Sequence, residues 1–288
     1  MKYHLKIIKK LPLWSNSDIL VKRLDGGITN YNYLIQDGDK KYVARFAPQS
    51  NILLGLNRKR EIYNTKIASS LGIGPNVTHF FPEYNLLILE YMEGNIFSSE
   101  AINQPSTIKA MEQLLKRLHN GPKFRGEFNP FKTVRKYIRI VKEAHCWLPD
   151  EINKQLSELK KIEKELEPFY KTYPCHLDLM IENILENKDR ISFLDWEYSS
   201  NSDYRFDLAM LSVKGKFTPQ QDRLLLKAYD KNNKDLYSQI QRMKAVVYFR
   251  EAAWGFLQLA ISKIKFDYKK YAVDNLELFV SLTTREND

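Results

Sequence analysis

Cysteine is nearly absent from the chain, since Cys146 and Cys175 are the only two in 288 residues. Neither belongs to a C-x-x-C pair, so a disulfide framework and a structural zinc site are both unexpected. No apolar run approaches the roughly 20 residues that cross a bilayer. The N-terminal segment also lacks the apolar region and small-residue cleavage site of a signal peptide. We therefore expect a cytoplasmic protein without a membrane span.

Acidic residues are in deficit: 45 basic residues face 35 acidic ones, and the formal net charge is +10. A nucleic-acid-binding protein would concentrate this charge on one face or helix. Here the densest basic run is the short stretch 57–61, and most lysines alternate with glutamates. Nucleic acid is therefore not an expected partner. A basic surface suits an anionic small substrate such as a nucleotide equally well.

Long periodic repeats and low-complexity segments are also missing. The residue pattern changes once along the chain, near residues 90–97. Before this point, short β-branched and aromatic runs separated by Gly and Asp turns predict an antiparallel sheet with one helix. After it, apolar residues at helical spacing dominate. We expect an α+β fold with two lobes, a small β-sheet lobe at 1–92 and a mainly helical lobe at 93–288.

The individual elements follow from the same patterns. Strands are predicted at 19–24, 31–36, 41–47, 77–81 and 86–91, and the helix of the first lobe at 56–71. Helices of the second lobe are predicted at 106–120, 132–145, 150–170, 203–213, 219–229, 236–265 and 267–282.

One stretch of the second lobe, CHLDLMIENILENKDRISFLDWEY at 175–198, holds polar groups among apolar residues. His176, Asp178 and Asn183 form the pattern H-x-D-x-x-x-x-N, and Asp195 follows an apolar strand. Phosphoryl transfer from ATP needs an acid beside the attacking hydroxyl and hard oxygen ligands that hold Mg²⁺ against the phosphates. The pattern therefore predicts a phosphotransferase in which Asp178 accepts the substrate proton, and Asn183 and Asp195 bind the metal.

Each of these residues has a simpler interpretation when it is taken alone. An isolated H-x-D is common, and an aspartate like Asp195 before an aromatic residue is often a helix N-cap or a turn acid. His176 is expected to pack beneath the loop rather than to react. The joint spacing on strands and loops is what favours a site.

The segments HLDLMIENIL at 176–185 and FLDWEYSSNSDYRFDLA at 193–209 resemble the choline/ethanolamine kinase family, especially its bacterial LicA-type members. They are more distantly similar to aminoglycoside phosphotransferases and thiamine kinases. The resemblance covers most of the chain and implies a protein-kinase-like bilobal fold. It also implies ATP and Mg²⁺ as cofactors, a first lobe that binds the nucleotide, and a second lobe that carries the catalytic and acceptor sites.

The resemblance extends into the first lobe. GGITNYNYLI at 26–35 is similar to the family's phosphate-covering loop, and YVARFA and NRKREIY are similar to its basic third strand and the helix whose acid pairs with that strand. Taken alone, these features are typical of a hairpin turn, a solvated arginine and an exposed helical ion pair. The nucleotide-binding residues that the resemblance implies are Gly26, Gly27, Thr29, Asn30, Arg45, Glu61 and Glu90.

The acceptor site is predicted from aromatic residues. A quaternary ammonium cannot donate hydrogen bonds, and each aromatic face it meets contributes about 0.5–2 kcal/mol. The resemblance implies that Glu197, Tyr198, Trp254 and Tyr268 receive the ammonium group. The alternative is that Trp254 and Tyr268 are ordinary core aromatics. Where eukaryotic choline kinases carry a second Trp, this chain has Glu251, which either compensates electrostatically or admits a cation with N–H donors, such as ethanolamine.

SDYRFDLAML at 202–211 also matches the family. Asp207 is expected to hold the catalytic loop through hydrogen bonds to its backbone, or to stabilise the first turn of a helix through the helix dipole. Arg205 is expected on the surface.

The favoured function is phosphorylation of a small amino alcohol, choline, by ATP. The same chemistry on ethanolamine, thiamine or an aminoglycoside remains open, although the basic surplus disfavours the wide acidic cleft that an aminoglycoside requires. A nucleotide-binding protein without catalysis is the third alternative, and the intact set of Asp178, Asn183 and Asp195 argues against it.

Overall fold

The computed structural model describes residues 2–14, 18–24, 30–48, 52–188, 190–262 and 264–284. Gly26, Gly27 and Thr29 lie outside these residues. The first part of the chain forms an antiparallel sheet whose strands agree with the predicted ones within one or two residues. In chain order they are β1 (Leu20–Leu24), β2 (Tyr31–Asp37), β3 (Lys40–Phe46), β4 (Val77–Phe81) and β5 (Leu86–Glu90), and their order in the sheet is β1-β2-β3-β5-β4.

Two helices accompany this sheet. The predicted helix is present as α2 (Arg58–Ser70), and the Asn57 side chain caps it by accepting from the backbone N–H of Arg60 at 2.9 Å. The prediction of a single helix in the first ninety residues is wrong, because α1 (Lys2–Lys10) precedes the sheet. A helix this short is marginal in isolation. Burial of Ile7 and Ile8 in the apolar core of the sheet stabilises it.

Helices dominate the second part of the chain, and each predicted helix is present there. The structure adds the short α3, which the patterns did not predict. The helices are α3 (Ser99–Ile102), α4 (Pro105–His119), α5 (Pro130–Glu143), α6 (Ile152–Leu166), α7 (Tyr204–Lys214), α8 (Pro219–Tyr229), α9 (Leu236–Ile261) and α10 (Tyr268–Thr284).

Short strands frame the stretch that carries the predicted chemistry. The hairpin of β8 (Ile184–Asn187) and β9 (Arg190–Phe193) extends to β6 (Asn95–Ile96), and β7 (Tyr173–Cys175) pairs with β10 (Ser200–Ser202). Because β6 follows the sheet directly and pairs with β8, the chain crosses from the first part to the second just after β5. The division of the domains at residue 92 remains a prediction.

The buried apolar side chains form two clusters. One joins α1 to the sheet, and the other fills the helical part around α9. Two cores, one under a sheet and one among helices, agree with the predicted α+β bilobal fold. Within the described residues, no helix combines the length and the apolar character needed to cross a membrane.

The long helix α9 passes through the middle of the second core and is buried along most of its length. Gly255 permits its close contact with α10, since a Cβ at this position would lie 2.9 Å from the Cβ of Ala272. This contact directly follows Trp254 in the helix.

Candidate active site

The β8–β9 hairpin brings two of the predicted catalytic residues together. Its pairing register places Ile184 opposite Phe193, and the backbone N–H of Leu194 donates to the carbonyl of Asn183 at 2.8 Å. Asn183 and Asp195 are therefore neighbours at the open end of the hairpin. Asp195 adopts a left-handed backbone conformation (φ 60°) that ends the strand and begins a 3-10 turn.

Asp178 joins this pair through Asn183. The side-chain amide of Asn183 donates to the Asp178 carbonyl at 2.9 Å and to its carboxylate Oδ2 at 3.3 Å. The amide oxygen of Asn183 therefore remains available to a metal ion. Burial raises the pKa of Asp178 to about 7, although the charge of Arg250 opposes the shift. A carboxylate with such a pKa is suited to accept a proton near neutral pH.

His176 lies beneath the loop, as predicted. It is fully buried against the ring of Trp196, with the ring centroids 4.6 Å apart. Its Nε2 lies 2.8 Å from the carbonyl oxygen of Leu194, and burial lowers its pKa. His176 is therefore a buried, largely neutral side chain that supports the β8–β9 hairpin from below.

Asp207 holds the loop from α7. Its two carboxylate oxygens accept the backbone N–H groups of His176 and Leu177, each at 2.8 Å. The first predicted role of Asp207 is thus confirmed. His119 contacts the same carboxylate from α4, with its Nε2 at 3.1 Å from Oδ2.

Arg45 connects the sheet to the hairpin. From β3 its guanidinium donates to the carboxylate of Asp195 and lies 3.3 Å from Oε1 of Glu61 on α2. The expected pairing of Arg45 with Glu61 is therefore present. Arg58, which the sequence interpretation missed, donates to the other oxygen of Glu61 at 2.6 Å and to Asn30 at 3.3 Å. Its position at the start of α2, three residues before Glu61, was the available signal.

Glu197 contacts Asn30 and Arg45, two of the residues predicted to bind the nucleotide. Its Oε2 accepts from the amide of Asn30 at 2.6 Å and lies 3.6 Å from Arg45. The carboxylate is 3% exposed, and burial raises its pKa to about 8. Its placement against the ammonium group of an acceptor remains a prediction.

A cavity of about 500 Å³ opens beside this group. Arg45, Asn183 and Asp195 are among the polar residues that line it. Glu90 lines it too, although its carboxylate is exposed and accepts from Asn76 at 2.7 Å. Asn32 and Glu182 are also part of the lining, together with apolar side chains that include Leu24, Val43, Leu89, Met92 and Leu185. Its size is that of a small-molecule site, and its lining combines polar and apolar side chains.

The predicted acceptor aromatics contact one another. Trp254 on α9 donates from Nε1 to the hydroxyl of Tyr198 at 3.0 Å, and its ring meets Tyr268 edge-on with centroids 5.9 Å apart. Tyr271, which the sequence interpretation missed, approaches Trp254 in the same manner at 5.7 Å. It lies one turn after Tyr268 on α10, so helical spacing was the available signal.

Glu251 already has three donors. Lys214 lies 2.7 Å from its Oε2, the Tyr271 hydroxyl donates to the same oxygen, and Arg250 donates to Oε1. Burial opposes ionisation, but the charges of Lys214 and Arg250 prevail and lower the pKa of Glu251 to about 2. The carboxylate is ionised and compensated within the protein.

The expectation that Arg205 lies on the surface is wrong. Its side chain is 1% exposed and donates to both carboxylate oxygens of Asp203. It also donates to the carbonyl of Leu166 at 3.2 Å and to Gln239 at 3.2 Å. Arg205 therefore ties the start of α7 to α6 and α9, which supports the element that carries Asp207.

Comparison with known proteins identifies relatives of this chain. The sequence model of the choline/ethanolamine kinase family matches residues 21–214. A LicA protein of Haemophilus influenzae is 29% identical over 209 residues, which are 71% of this chain and 61% of that relative. Human ethanolamine kinase 2 is 25% identical, with 93% of this chain and 78% of the relative covered.

The fold has a counterpart among solved structures. The crystal structure of choline kinase LicA from Streptococcus pneumoniae superposes with a TM-score of 0.85 and 27% identity, and covers 98% of this chain and 99% of the other. The predicted protein-kinase-like bilobal fold is confirmed by this match.

Proposed function

Because the chain belongs to the choline/ethanolamine kinase family, we propose that it is an ATP- and Mg²⁺-dependent kinase that phosphorylates the hydroxyl group of choline. The observation that carries the proposal is the convergence of Asp178, Asn183 and Asp195 at one hairpin end, next to the 500 Å³ cavity. Phosphoryl transfer depends on positioning and on charge neutralisation, and this group supplies oxygen ligands and a proton acceptor within one small volume.

The residues present fit Mg²⁺. Asp195 offers a carboxylate, and Asn183 offers its amide oxygen, because the amide nitrogen is already bonded to Asp178. These hard oxygens are the ligands that Mg²⁺ prefers, and the ion usually retains several waters and contacts the phosphates. Bound there, the ion would neutralise phosphate charge during transfer.

The nucleotide would occupy the cavity, with its base against apolar side chains of the lining and its phosphates near Arg45, Asn183 and Asp195. Arg45 would contact the phosphates. Its Nε is buried and has no acceptor among the described residues, so a phosphate oxygen would satisfy it. Glu61 holds the guanidinium in place through the ion pair at 3.3 Å. Arg45 also pairs with Asp195, which links the phosphate-binding and metal-binding groups.

Asp178 would orient the choline hydroxyl and accept its proton. Its pKa of about 7 leaves a substantial ionised fraction at neutral pH and a useful basicity. The ring group of Trp254, Tyr268 and Tyr271 would receive the trimethylammonium group. Aromatic faces favour such a cation, since it brings no hydrogen-bond donors.

Ethanolamine is the second candidate acceptor, and Glu251 is the observation that favours it. A carboxylate at this position can accept hydrogen bonds from a primary ammonium group, which a quaternary one cannot donate. The three donors that already reach Glu251 weigh in the other direction. We therefore place choline first.

A panel of acceptors separates these candidates. Choline, ethanolamine, thiamine and an aminoglycoside are each incubated with enzyme, ATP and Mg²⁺, and ADP release is measured by a coupled assay. We expect the highest kcat/KM with choline. Choline turnover at background, with another acceptor active, would overturn the choice of acceptor and leave the kinase intact. Background ADP release with every acceptor would count against the kinase itself.

A further inference from the structure

Arg250 is a buried cation with unused donors. The residue is 2% exposed, its Nη1 donates to Glu251, and its guanidinium carbon lies 4.6 Å from the centroid of the Tyr198 ring. Its Nε and Nη2 find no acceptor among the described residues. A buried donor without a partner is unfavourable, so a ligand that brings acceptors to this position recovers that cost.

The unused atoms define the kind of ligand. Nε and Nη2 lie on one edge of the guanidinium, and that edge binds two oxygens of a carboxylate or phosphate in a bidentate manner. Choline has a single oxygen, its reacting hydroxyl, and its ammonium group repels a guanidinium. The free edge of Arg250 is therefore suited to an oxyanion rather than to the unreacted acceptor.

Arg250 adjoins the residues proposed for the acceptor site. Arg250 stacks on Tyr198, whose hydroxyl accepts from Trp254, and it adjoins Glu251. Its charge also acts on Asp178, the proposed proton acceptor. The phosphoryl group reaches the acceptor hydroxyl beside Asp178 and becomes the phosphate of the product there.

A purely structural role does not account for the arrangement. As a counter-ion of Glu251, Arg250 would be redundant, because Lys214 at 2.7 Å and the Tyr271 hydroxyl already contact that carboxylate. The pairing with Glu251 also uses only Nη1.

We propose that the Nε–Nη2 edge of Arg250 binds an oxyanion in the acceptor site, namely the phosphoryl group that ends as the phosphate monoester of the product. The inference rests on the proposed function. A carboxylate carried by the bound ligand has the same oxygen geometry and is the second possible source of the oxyanion.

The test compares R250M and R250K with the wild type and with the control R242M. Arg242 lies on the same helix and pairs at 2.9 Å with Glu165 near the surface. Calorimetric titrations with phosphocholine, choline and betaine, the carboxylate analogue of choline, give each dissociation constant. We expect R250M to weaken phosphocholine binding about tenfold or more, the loss of charged hydrogen bonds. Choline binding should stay within twofold, and R242M should match the wild type.

The variant R250K guards against misfolding. It keeps the charge but not the two-donor edge, so its melting temperature should stay near that of the wild type while phosphocholine binding still weakens. If R250M does not fold, R250K decides the question. Unchanged affinity for both phosphocholine and betaine, or an equal loss of affinity for choline and phosphocholine, overturns the proposal. Loss of betaine binding alone keeps the oxyanion site and assigns it to a carboxylate.

If the proposed function is wrong, the binding experiments give a different result. If the wild type binds neither choline nor phosphocholine, inorganic phosphate becomes the probe, with ADP and Mg²⁺ filling the nucleotide site. Phosphate binding that R250M abolishes supports the oxyanion site even then. Equal phosphate binding by the wild type and R250M contradicts it.

Discussion

Asp207 accepts a hydrogen bond at 2.8 Å from the backbone N–H of Leu177, the residue directly before Asp178. Leu177 has a φ of 69°, a left-handed conformation that a branched side chain rarely adopts. The second oxygen of Asp207 accepts the N–H of His176, also at 2.8 Å. One buried carboxylate thus stabilises an unfavourable backbone conformation, and this conformation positions the proposed proton acceptor.

Replacement of Asp207 by Asn tests this positioning. An asparagine presents one acceptor oxygen and turns an amide N–H₂ toward the second backbone donor. We expect D207N to lower kcat about 10- to 100-fold through displacement of Asp178, and to lower the free energy of unfolding by about 1–3 kcal/mol. The dissociation constant of a non-hydrolysable ATP analogue should stay within a few-fold.

The matched control is D274N on α10, which removes an exposed carboxylate paired with Lys270. It should leave kcat and the melting temperature unchanged. A normal kcat in D207N would contradict the positioning role.

Replacement of Asp178 by Ala removes the proposed proton acceptor itself. General-base catalysis contributes about 10²- to 10⁴-fold, so kcat should fall by that factor while nucleotide affinity is largely retained. Steady-state kinetics and calorimetry measure the two effects. E186Q, which changes an exposed acid on β8, serves as the control with normal turnover. Undiminished activity of D178A would refute the assigned role.

The pKa of Asp178 predicts a pH profile. Because burial raises this pKa to about 7, the carboxyl group becomes protonated as the pH falls through 7 and can no longer accept the hydroxyl proton. We expect kcat/KM to level off above this pH and to fall about tenfold per pH unit well below it. The residual rate of D178A should lose this dependence. If the fall in kcat/KM at low pH persists in D178A, the titrating group is another one, such as the nucleotide.

Local pairing explains why the core of the candidate site was predictable from the sequence. Asn183 and Asp195 flank one hairpin, and Asp178 lies five residues before Asn183. Their convergence therefore depends on contacts close in the chain, which motif spacing records. The strands of the sheet were predicted for a similar reason, since alternation and turn residues are local signals.

Partners distant in the chain explain what the sequence interpretation missed. Arg205 has the composition of a surface residue, and its burial depends on Leu166 and Gln239. Glu197 accepts a hydrogen bond from Asn30, 167 residues away, a contact that the sequence interpretation did not predict. Arg250 resembles any helical arginine until the fold places it over Tyr198. None of these contacts has a fixed spacing that a single sequence reveals.

Trp254 provides the test of the aromatic acceptor site. Replacing it by Leu removes one ring face, which contributes about 0.5–2 kcal/mol to binding of a quaternary ammonium, or roughly a 2- to 30-fold rise in the KM for choline. W254F keeps a ring but loses the hydrogen bond to Tyr198, so a smaller rise in W254F assigns the effect to the ring.

W147L alters a tryptophan that is 44% exposed and contacts Lys269, and should leave the KM unchanged. The KM for ATP should stay constant in all three variants, because the cavity that would hold the nucleotide is lined by other residues. A parallel rise in both KM values for W254L would show that Trp254 is an ordinary core aromatic whose loss disturbs the whole site.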